Sequence, residues 1–274
     1  MISIITTIHN QLAMNRLFYK YITKYTDLPY ELIIIDNNST DGSAEFFEDK
    51  GVTVIKNPHN YSYPYTQNQG IKIAKGQYLA FLNNDLIVSK DWASRILAIM
   101  QQKQIEIASF ASNDFLERQY FKNYIQRRWK YIKYSLRPII GTGYLSLKLM
   151  NFLMYGNWER FTEKRYRKFG YQTLEGFSGP CIIMTEEAIN KVGLWDERIQ
   201  EADFDLYFRT KMRKLSNNDI QPVQTALGIY FHHYQRLTLK SKPRPFADAK
   251  NIIPLKDKWG KQINWLLKDI GSYT

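Results

Sequence analysis

The sequence predicts an α/β fold in which a mostly parallel central sheet carries helices on both faces. Through the first 112 residues, short β-branched apolar runs alternate with stretches of helical spacing. That alternation is typical of parallel strands joined by crossover helices. Apolar residues make up 44% of the 274 residues and aromatic residues 15%, which supplies a large core and excludes a disordered chain.

The individual elements follow from two patterns. Continuous apolar runs between turn residues predict buried strands, and apolar residues that recur every three or four positions predict helices. The predicted strands are 2–8, 31–36, 52–55, 77–82, 105–111, 181–185 and 225–232. The predicted helices are 11–25, 43–50, 65–74, 90–102, 186–192 and 203–215, followed by an amphipathic helix at 255–270.

Basic charge sets one segment apart from the rest of the chain. Of the formal net charge of +12, the segment from Phe115 to Gly170 carries +10, with 13 Lys and Arg against 3 Glu, and it also holds 14 aromatic residues. We therefore divide the single predicted domain around a basic helical insertion, into 1–112, 113–170, 171–239 and 240–274.

Three absences exclude several classes of protein. Cys181 is the only cysteine, so neither an intrachain disulfide nor a cysteine-based metal site can form. No window of about 18 residues is continuously apolar, as a transmembrane helix would require. The first residues, MISIITTIHNQ, lack the basic start and apolar stretch of a signal peptide, which predicts a cytoplasmic protein that at most touches the inner face of the cell membrane.

Two carboxylates directly follow predicted strands. Asp36 is followed by small polar residues, a pattern that can hold a nucleoside or simply cap the next helix. Asp85 ends the segment LNND, which follows another apolar run. In such sheets the ligand crevice lies outside the carboxyl ends of the strands. A carboxylate there can bind a hard divalent cation and phosphate oxygens, although Asn-Asn-Asp also favours turns.

The second half of the chain offers an acid cluster and a histidine pair. Glu201, Asp203 and Asp205 crowd the predicted start of a helix, where they complement its dipole unless one of them serves as a general base. His232 and His233 end the last predicted strand. A neutral imidazole there can ligate a metal, although a lone histidine beside an apolar strand is more often structural.

Together these motifs resemble the inverting family 2 glycosyltransferases, which have the GT-A fold. The resemblance covers nearly the whole chain in order, apart from the basic segment. Its most specific pieces are the Asp36 loop, the LNND segment and the run GFSGPC…LWDER…DFDL…R between Gly176 and Arg209. It implies a Rossmann-like half at 1–112 that binds a nucleotide sugar, and an acceptor-binding and catalytic half at 171–239.

The resemblance also implies which residues bind the donor. Thr7 and Asp36 would line the nucleoside pocket, together with Asn68 and Gly70 in the segment TQNQG. The donor would be a nucleotide-diphosphate sugar, with uridine or thymidine as its base.

Metal binding and catalysis are implied for a second group of residues. Asn83-Asn84-Asp85 matches the Asp-x-Asp motif of the family with only its last acid kept. Asn84 and Asp85 would bind the donor, and Asp85 would hold Mn²⁺ or Mg²⁺. Asp203 falls where such enzymes place the catalytic base. The late histidine that approaches the diphosphate or the metal matches His232 or His233, and we favour His232.

The implied reaction moves the sugar to a hydroxyl of a saccharide or of a polyprenyl-diphosphate-linked saccharide in surface-polysaccharide biosynthesis. A metal neutralises the diphosphate leaving group, so no acid is needed to protonate it. Asp203 would take the proton of the acceptor hydroxyl as this attacks the anomeric carbon from the opposite face, with inversion of configuration.

The basic aromatic segment allows three interpretations. Its charges can line a solvated face while its aromatic residues pack on the core. It can instead dock on an anionic membrane, where each Lys or Arg contributes about 1 kcal/mol and residues such as Trp129, Tyr131 and Tyr134 suit the interface. Nucleic-acid binding is the third, but no nucleic-acid-binding motif accompanies the segment, and we expect no nucleic acid as a partner.

A different function remains open beside catalysis. Ala202 stands where the family has an acid before the catalytic base, and Asn83 stands where it has the first acid of its metal motif. Both departures favour the alternative hypothesis of a catalytically inactive GT-A-like protein that binds nucleotides.

Overall fold

A single mixed sheet forms the centre of the molecule. The computed structural model describes residues 1–235 and 245–272, and the strands found there all belong to this sheet. They are β1 (Ile2–Ile8), β2 (Tyr30–Asp36), β3 (Thr53–Lys56), β4 (Tyr78–Leu82), β5 (Leu86–Val88), β6 (Ile107–Ser112), β7 (Thr173–Glu175), β8 (Cys181–Thr185) and β9 (Gln224–His233).

The sheet is mostly parallel, as predicted. Its order is β3-β2-β1-β4-β8-β6-β9-β5, and β7 pairs with the first residues of β9. The strands β1 to β4, β6 and β9 point the same way, while β8, β5 and β7 run against them. The order reverses between β1 and β4, and α/β sheets bind ligands at the carboxyl edge of such a reversal.

Helices cover both faces of the sheet, and each face has its own hydrophobic cluster. Side chains alternate along β1, so Ile4 packs in one cluster and Ile5 in the other. The helices are α1 (Leu12–Tyr25), α2 (Ser43–Glu48), α3 (Tyr63–Ile71), α4 (Trp92–Lys103), α5 (Gln119–Ile140), α6 (Tyr144–Tyr155), α7 (Trp158–Phe169), α8 (Glu186–Val192), α9 (Ala202–Ser216), α10 (Leu255–Trp259) and α11 (Ile263–Leu266).

The sequence analysis did not predict two short strands, and it predicted one helix incorrectly. The missed strands, β5 and β7, are three residues long, too short to show a period. The single helix predicted at 255–270 is wrong, because Gly260 adopts a positive φ of 53° and ends α10. A 3₁₀ turn and the four-residue α11 follow it.

The basic segment forms the three helices α5 to α7 between β6 and β7. Their apolar sides are buried in the same cluster as Ile4, through Trp129, Leu147, Met150 and Trp158. The insertion is therefore packed on the sheet rather than projecting from it. Within the described residues, no helix combines the length and the apolar character needed to cross a bilayer.

Gly70 lets α3 lie directly against β1. A Cβ at this position would come within 2.3 Å of the Ile5 Cγ2 and 3.3 Å of its Cβ. Because Ile5 is fully buried, it has no room to give way. The structure thus gives Gly70 a packing role, and its place in the nucleoside pocket, which the resemblance implies, stays a prediction.

We expect Gly70→Ala to destabilise the protein. Overpacking a close-packed core costs about 1–3 kcal/mol, which exceeds the gain of up to about 1 kcal/mol that alanine brings to a helix interior. The midpoint of chemical denaturation measures the change. The matched control is Gly143→Ala, where the added methyl group would meet only the Ser146 Oγ at 4.0 Å. Equal midpoints for the two variants would contradict the packing role.

Candidate active site

Asp36 and Thr7 lie at the carboxyl edge of the sheet, beside the reversal of strand order. Asp36 ends β2 opposite Ile8, and Thr7 is the residue before Ile8 in β1. Both carboxylate oxygens of Asp36 accept hydrogen bonds from the Ser39 backbone N–H at 3.2 Å. Burial raises the pKa of this carboxyl above its usual value. The acid is thus held in place by its own loop at the edge where ligands bind.

The loops that follow β1 and β2 are tied to each other. The Asn10 backbone N–H donates to the Ser39 Oγ at 2.7 Å, and the Asn10 Oδ1 accepts from the Thr40 N–H at 2.8 Å. Asn10 and Asn38 both have positive φ, a conformation that asparagine tolerates better than most residues. These contacts fix the conformation of the two loops beside Asp36.

Thr7 and Asn68 form hydrogen bonds with different parts of the chain. Thr7 donates to the Thr66 Oγ1 at 2.7 Å and accepts from the Gln67 side chain at 3.0 Å, at the first turns of α3. Asn68 turns away and joins another segment: its Nδ2 donates to the Trp195 carbonyl and to Glu197, and its Oδ1 accepts from the Trp195 N–H. Through these bonds Asn68 ties α3 to the segment around Trp195, and its place in the donor pocket stays a prediction.

The loop between β4 and β5 is held from two sides. The Asn83 N–H donates to the Pro180 carbonyl at 2.9 Å, which joins this loop to the GFSGPC segment. The Asn84 Nδ2 donates to the Asn15 Oδ1 at 2.7 Å on α1. Asn84 thereby anchors the loop, and Asp85 is left to face β9.

The imidazole of His233 lies between two carboxylates. Its Nε2 is 3.1 Å from the Asp85 Oδ1, and its Nδ1 is 2.6 Å from the Asp114 Oδ2. Asn113 also holds the His233 backbone through two hydrogen bonds of 2.8 and 2.9 Å. Burial disfavours the charged imidazole, but the carboxylates of Asp85 and Asp114 outweigh it and raise the pKa of His233 to about 10.

His232 points to the opposite face of β9, because neighbouring strand residues alternate. It is fully buried, with its Nδ1 2.9 Å from the Tyr155 hydroxyl and its ring 4.4 Å from that of Trp129. Burial lowers its pKa well below the usual range. The structure therefore corrects the preference for His232, since His233 is the histidine that lies beside Asp85.

Asp85 and His233 fit a divalent cation. A carboxylate oxygen and an imidazole nitrogen 3.1 Å apart can both ligate one ion at about 2.0–2.2 Å. Asp114 on the other ring nitrogen is the kind of partner that orients metal-binding histidines. Residues 1–235 and 245–272 contain no group of three or more His, Cys, Asp or Glu placed to hold a metal.

The acids at the start of α9 have different surroundings. Glu201 is exposed. Asp205 is fully buried and bound by three donors, the Arg209 Nε at 2.9 Å, the Lys258 Nζ at 2.5 Å and the Trp259 Nε1 at 2.8 Å. Among the described residues, no cation pairs with Asp203, which accepts the Phe204 N–H at 2.9 Å. Burial raises the pKa of Asp203 to about 6, and the charge of Glu201 adds to this.

The Asp203 carboxyl group lies directly against Gly179. A Cβ at Gly179 would lie 2.0 Å from the Asp203 Oδ2 and 3.0 Å from its Cγ. The next residue, Pro180, accepts the hydrogen bond from Asn83. Through residues 179 to 180, the partly buried Asp203 is thus connected to the loop that carries Asp85.

The family comparison identifies the chain. The model described as "Glycosyl transferase family 2" matches residues 3–193, more than half of the sequence. The chain belongs to glycosyltransferase family 2. The matched range includes Asp36 and Asp85, whereas Asp203 and His233 lie after its end.

Two curated bacterial relatives of this family 2 chain carry glycosyltransferase names. Glycosyltransferase GlyG of Streptococcus pneumoniae serotype 4 is 27% identical over 112 residues, which cover 39% of this chain and 37% of GlyG. An uncharacterized glycosyltransferase of Haemophilus influenzae is 34% identical over 80 residues, 27% of this chain and 32% of that protein. The chain thus spans about a third of the length of each relative.

A solved structure shares the fold. The crystal structure of GalNAc-T7 with UDP, GalNAc and Mn²⁺ superposes with a TM-score of 0.55 at 15% identity, covering 85% of this chain and 43% of that one. At this identity the likeness establishes the fold alone. It confirms the GT-A fold predicted for this family 2 chain.

Sequence analysis missed Asp114 and ranked His233 second. The signal for Asp114 was available, because Asn113-Asp114 follows an apolar strand just as Asp85 does. To choose between His232 and His233, one must know which side of β9 faces Asp85. Two adjacent histidines in a sequence do not show this.

We expect Gly179→Ala to impair turnover by this family 2 chain while leaving the fold intact. The new methyl group would displace the Asp203 carboxyl group, which is the free end of a side chain and can move. Misplacing a reacting group by about 1 Å can cost about 10²-fold in rate. Steady-state kinetics should therefore show a lower kcat, with a melting temperature close to that of the parent. A kcat equal to that of the Gly143→Ala control would contradict the role given to Gly179.

Proposed function

We propose that the protein is a metal-dependent inverting glycosyltransferase that moves a sugar from a nucleotide-diphosphate sugar to an acceptor hydroxyl. The main support is Asp203, a carboxylate without a cation partner among the described residues, whose pKa burial raises to about 6. A carboxylate in that state can accept a proton near neutral pH. Asp205, two residues later, is paired with Arg209 and Lys258 and accepts the Trp259 N–H, so it is unsuited to that task.

The nucleoside of the donor would bind at the carboxyl edge of β1 and β2. Asp36 offers carboxylate oxygens to a base N–H or a ribose hydroxyl, and Thr7 lies one strand away. A UDP- or dTDP-linked sugar is the donor class we propose, and GalNAc-T7, which shares the fold, was solved with UDP.

Asp85 and His233 would hold Mn²⁺ or Mg²⁺, and Asp114 would keep the imidazole of His233 in the orientation needed. The bound ion would neutralise the charge that develops on the diphosphate leaving group. Because the leaving group then needs no proton, one carboxylate suffices where a glycosidase needs two.

Asp203 would act as the general base. It would take the proton of the acceptor hydroxyl while the oxygen attacks the anomeric carbon on the face opposite the diphosphate, so the configuration inverts. We propose a hydroxyl of a saccharide, free or lipid-linked, as the acceptor, and surface-polysaccharide biosynthesis as the process.

Transfer should lose activity in acid with a midpoint near pH 6. Only the ionised Asp203 can accept a proton, so the rate falls about tenfold for each pH unit below its pKa. An ordinary aspartate would move that midpoint to about pH 4. The pH profile of kcat/KM for UDP release from UDP-sugars, with water or saccharides as acceptor, measures it.

Asp203→Asn should lower kcat by about 10²–10⁴-fold and leave UDP affinity unchanged. Asp49→Asn, at an exposed position on another part of the chain, is the control. Full activity in Asp203→Asn would remove this residue from the mechanism. Firm UDP binding without turnover of any nucleotide sugar would favour the inactive binding protein instead.

The metal proposal predicts a graded series in calorimetric titrations with UDP. Asp85→Asn and His233→Gln should abolish the gain in UDP affinity that Mn²⁺ brings to the parent, because each removes a ligand. Asp114→Asn should weaken Mn²⁺ binding by about 10–100-fold, since it only orients His233.

Asp49→Asn is again the control, and it should retain the whole Mn²⁺ effect. If Asp85→Asn kept that effect too, the cation would have to bind elsewhere. Binding measured without Mn²⁺ reports the state of the nucleoside pocket in every variant.

A further inference from the structure

The outward side of α6 is an exposed apolar stripe. Leu145, Leu149 and Phe152 follow each other at helical spacing and are 75%, 43% and 61% exposed. The opposite side of the same helix, with Leu147 and Met150, is fully buried in the core. Only the inner apolar side of α6 packs on the core. An outer side that is also apolar and exposed indicates a contact with something else.

The outward side of the neighbouring α5 is aromatic and basic. Tyr120, Tyr131 and Tyr134 are more than half exposed, and Arg127 and Lys130 lie among them. At the end of α5, Ile139 is 80% exposed, next to the turn that leads into α6. We name the outward sides of α5 and α6, from residue 119 to 155, the α5–α6 face.

The charge around this face has one sign. Residues 118–156 contain eight Lys and Arg and no Asp or Glu. The acids that flank this range are paired elsewhere, Glu117 with Arg165 at 2.6 Å and Glu159 with Lys24 at 2.7 Å. The exposed apolar stripe thus lies in a segment whose exposed charges, such as Arg127, Lys130 and Lys148, are all positive.

We propose that the α5–α6 face docks on the surface of an anionic lipid bilayer. Leu145 and Phe152 would enter the boundary between headgroups and acyl chains, while Arg127 and Lys130 would contact lipid phosphates. Tyrosine suits this depth because its ring is apolar and its hydroxyl is polar. The helices would lie in the plane of the membrane rather than cross it.

Two other occupants fit the face less well. A second copy of the chain would bring its own exposed cations against those of this face, and like charges oppose association. A nucleic acid would match the cations and the tyrosines, but exposed aliphatic residues such as Leu145 and Ile139 would gain nothing from a phosphate backbone.

Docking would also fix where the membrane lies relative to the active site. Trp129 of α5 and Tyr155 of α6 pack on His232, the neighbour of His233 in β9. The face and the proposed metal ligand therefore belong to one packed unit. A lipid-linked acceptor would then meet the active site at a fixed distance from the membrane surface. This extension rests on the proposed function.

Vesicle co-sedimentation tests the docking. The protein should bind vesicles of phosphatidylcholine with phosphatidylglycerol, bind phosphatidylcholine alone far more weakly, and dissociate at high salt. Arg127→Gln with Lys130→Gln should weaken binding about 25-fold, about fivefold for each cation removed. Leu145→Gln with Phe152→Gln should weaken it about tenfold or more.

The matched controls lie outside the face. Lys50→Gln with Lys103→Gln removes two exposed cations, and Leu215→Gln removes an exposed leucine of α9. Both should bind vesicles like the parent. All substituted side chains are exposed, and an unchanged melting temperature together with unchanged UDP binding would show that the fold and the nucleotide site are intact.

Three results would overturn the proposal. One is equal binding to neutral and anionic vesicles, or binding that the two face variants leave unchanged. Another is self-association of the parent that Leu145→Gln with Phe152→Gln abolishes, which would assign the face to a second copy. The third is displacement from anionic vesicles by single-stranded DNA when the apolar double variant still binds that DNA like the parent. None of these results bears on Asp203 or the metal ligands.

Discussion

The imidazole of His233, held between Asp85 and Asp114, joins three strand ends of the sheet. Asp85 follows β4, Asp114 follows β6, and His233 ends β9. The imidazole lies within hydrogen-bond distance of both carboxylates and so joins Asp85 to Asp114. The short β5 that follows Asp85 pairs with β9 in the register that this contact requires. The edge where a diphosphate and a metal would bind is therefore built by a single side-chain triad.

The two aspartates of the segment Asp203-Phe204-Asp205 differ in their ion pairs. Asp205 is the buried anchor of the C-terminal segment, which reaches it through Lys258 and Trp259. Asp203 is left without such a partner among the described residues, on top of Gly179. One acid thus stabilises the fold by ion pairing, and the other has a pKa that burial raises. Two identical residues two positions apart differ only in what surrounds them.

Prediction from the sequence succeeded where burial imposes a pattern. Strands buried on both faces read as unbroken apolar runs, so β1, β2 and β4 were placed within a residue of their ends. The contacts of Gly70 and Asn68 were not predicted, for a different reason. The close approach of Gly70 to Ile5 and the hydrogen bonds of Asn68 to Trp195 are long-range contacts that a motif does not contain.

The sequence by itself determined the fold class, the family resemblance and the acids at strand and helix ends, because hydrophobic periodicity and short motifs are local. Only the tertiary structure decided that His233 rather than His232 faces Asp85, that Asp114 completes the triad and that α6 leaves an apolar side uncovered. These outcomes depend on which side of a strand or helix meets a neighbour distant in the chain. A shift of one residue in register turns every side chain of a strand to the other face of the sheet. Two adjacent identical residues do not show in the sequence which of them faces a given neighbour.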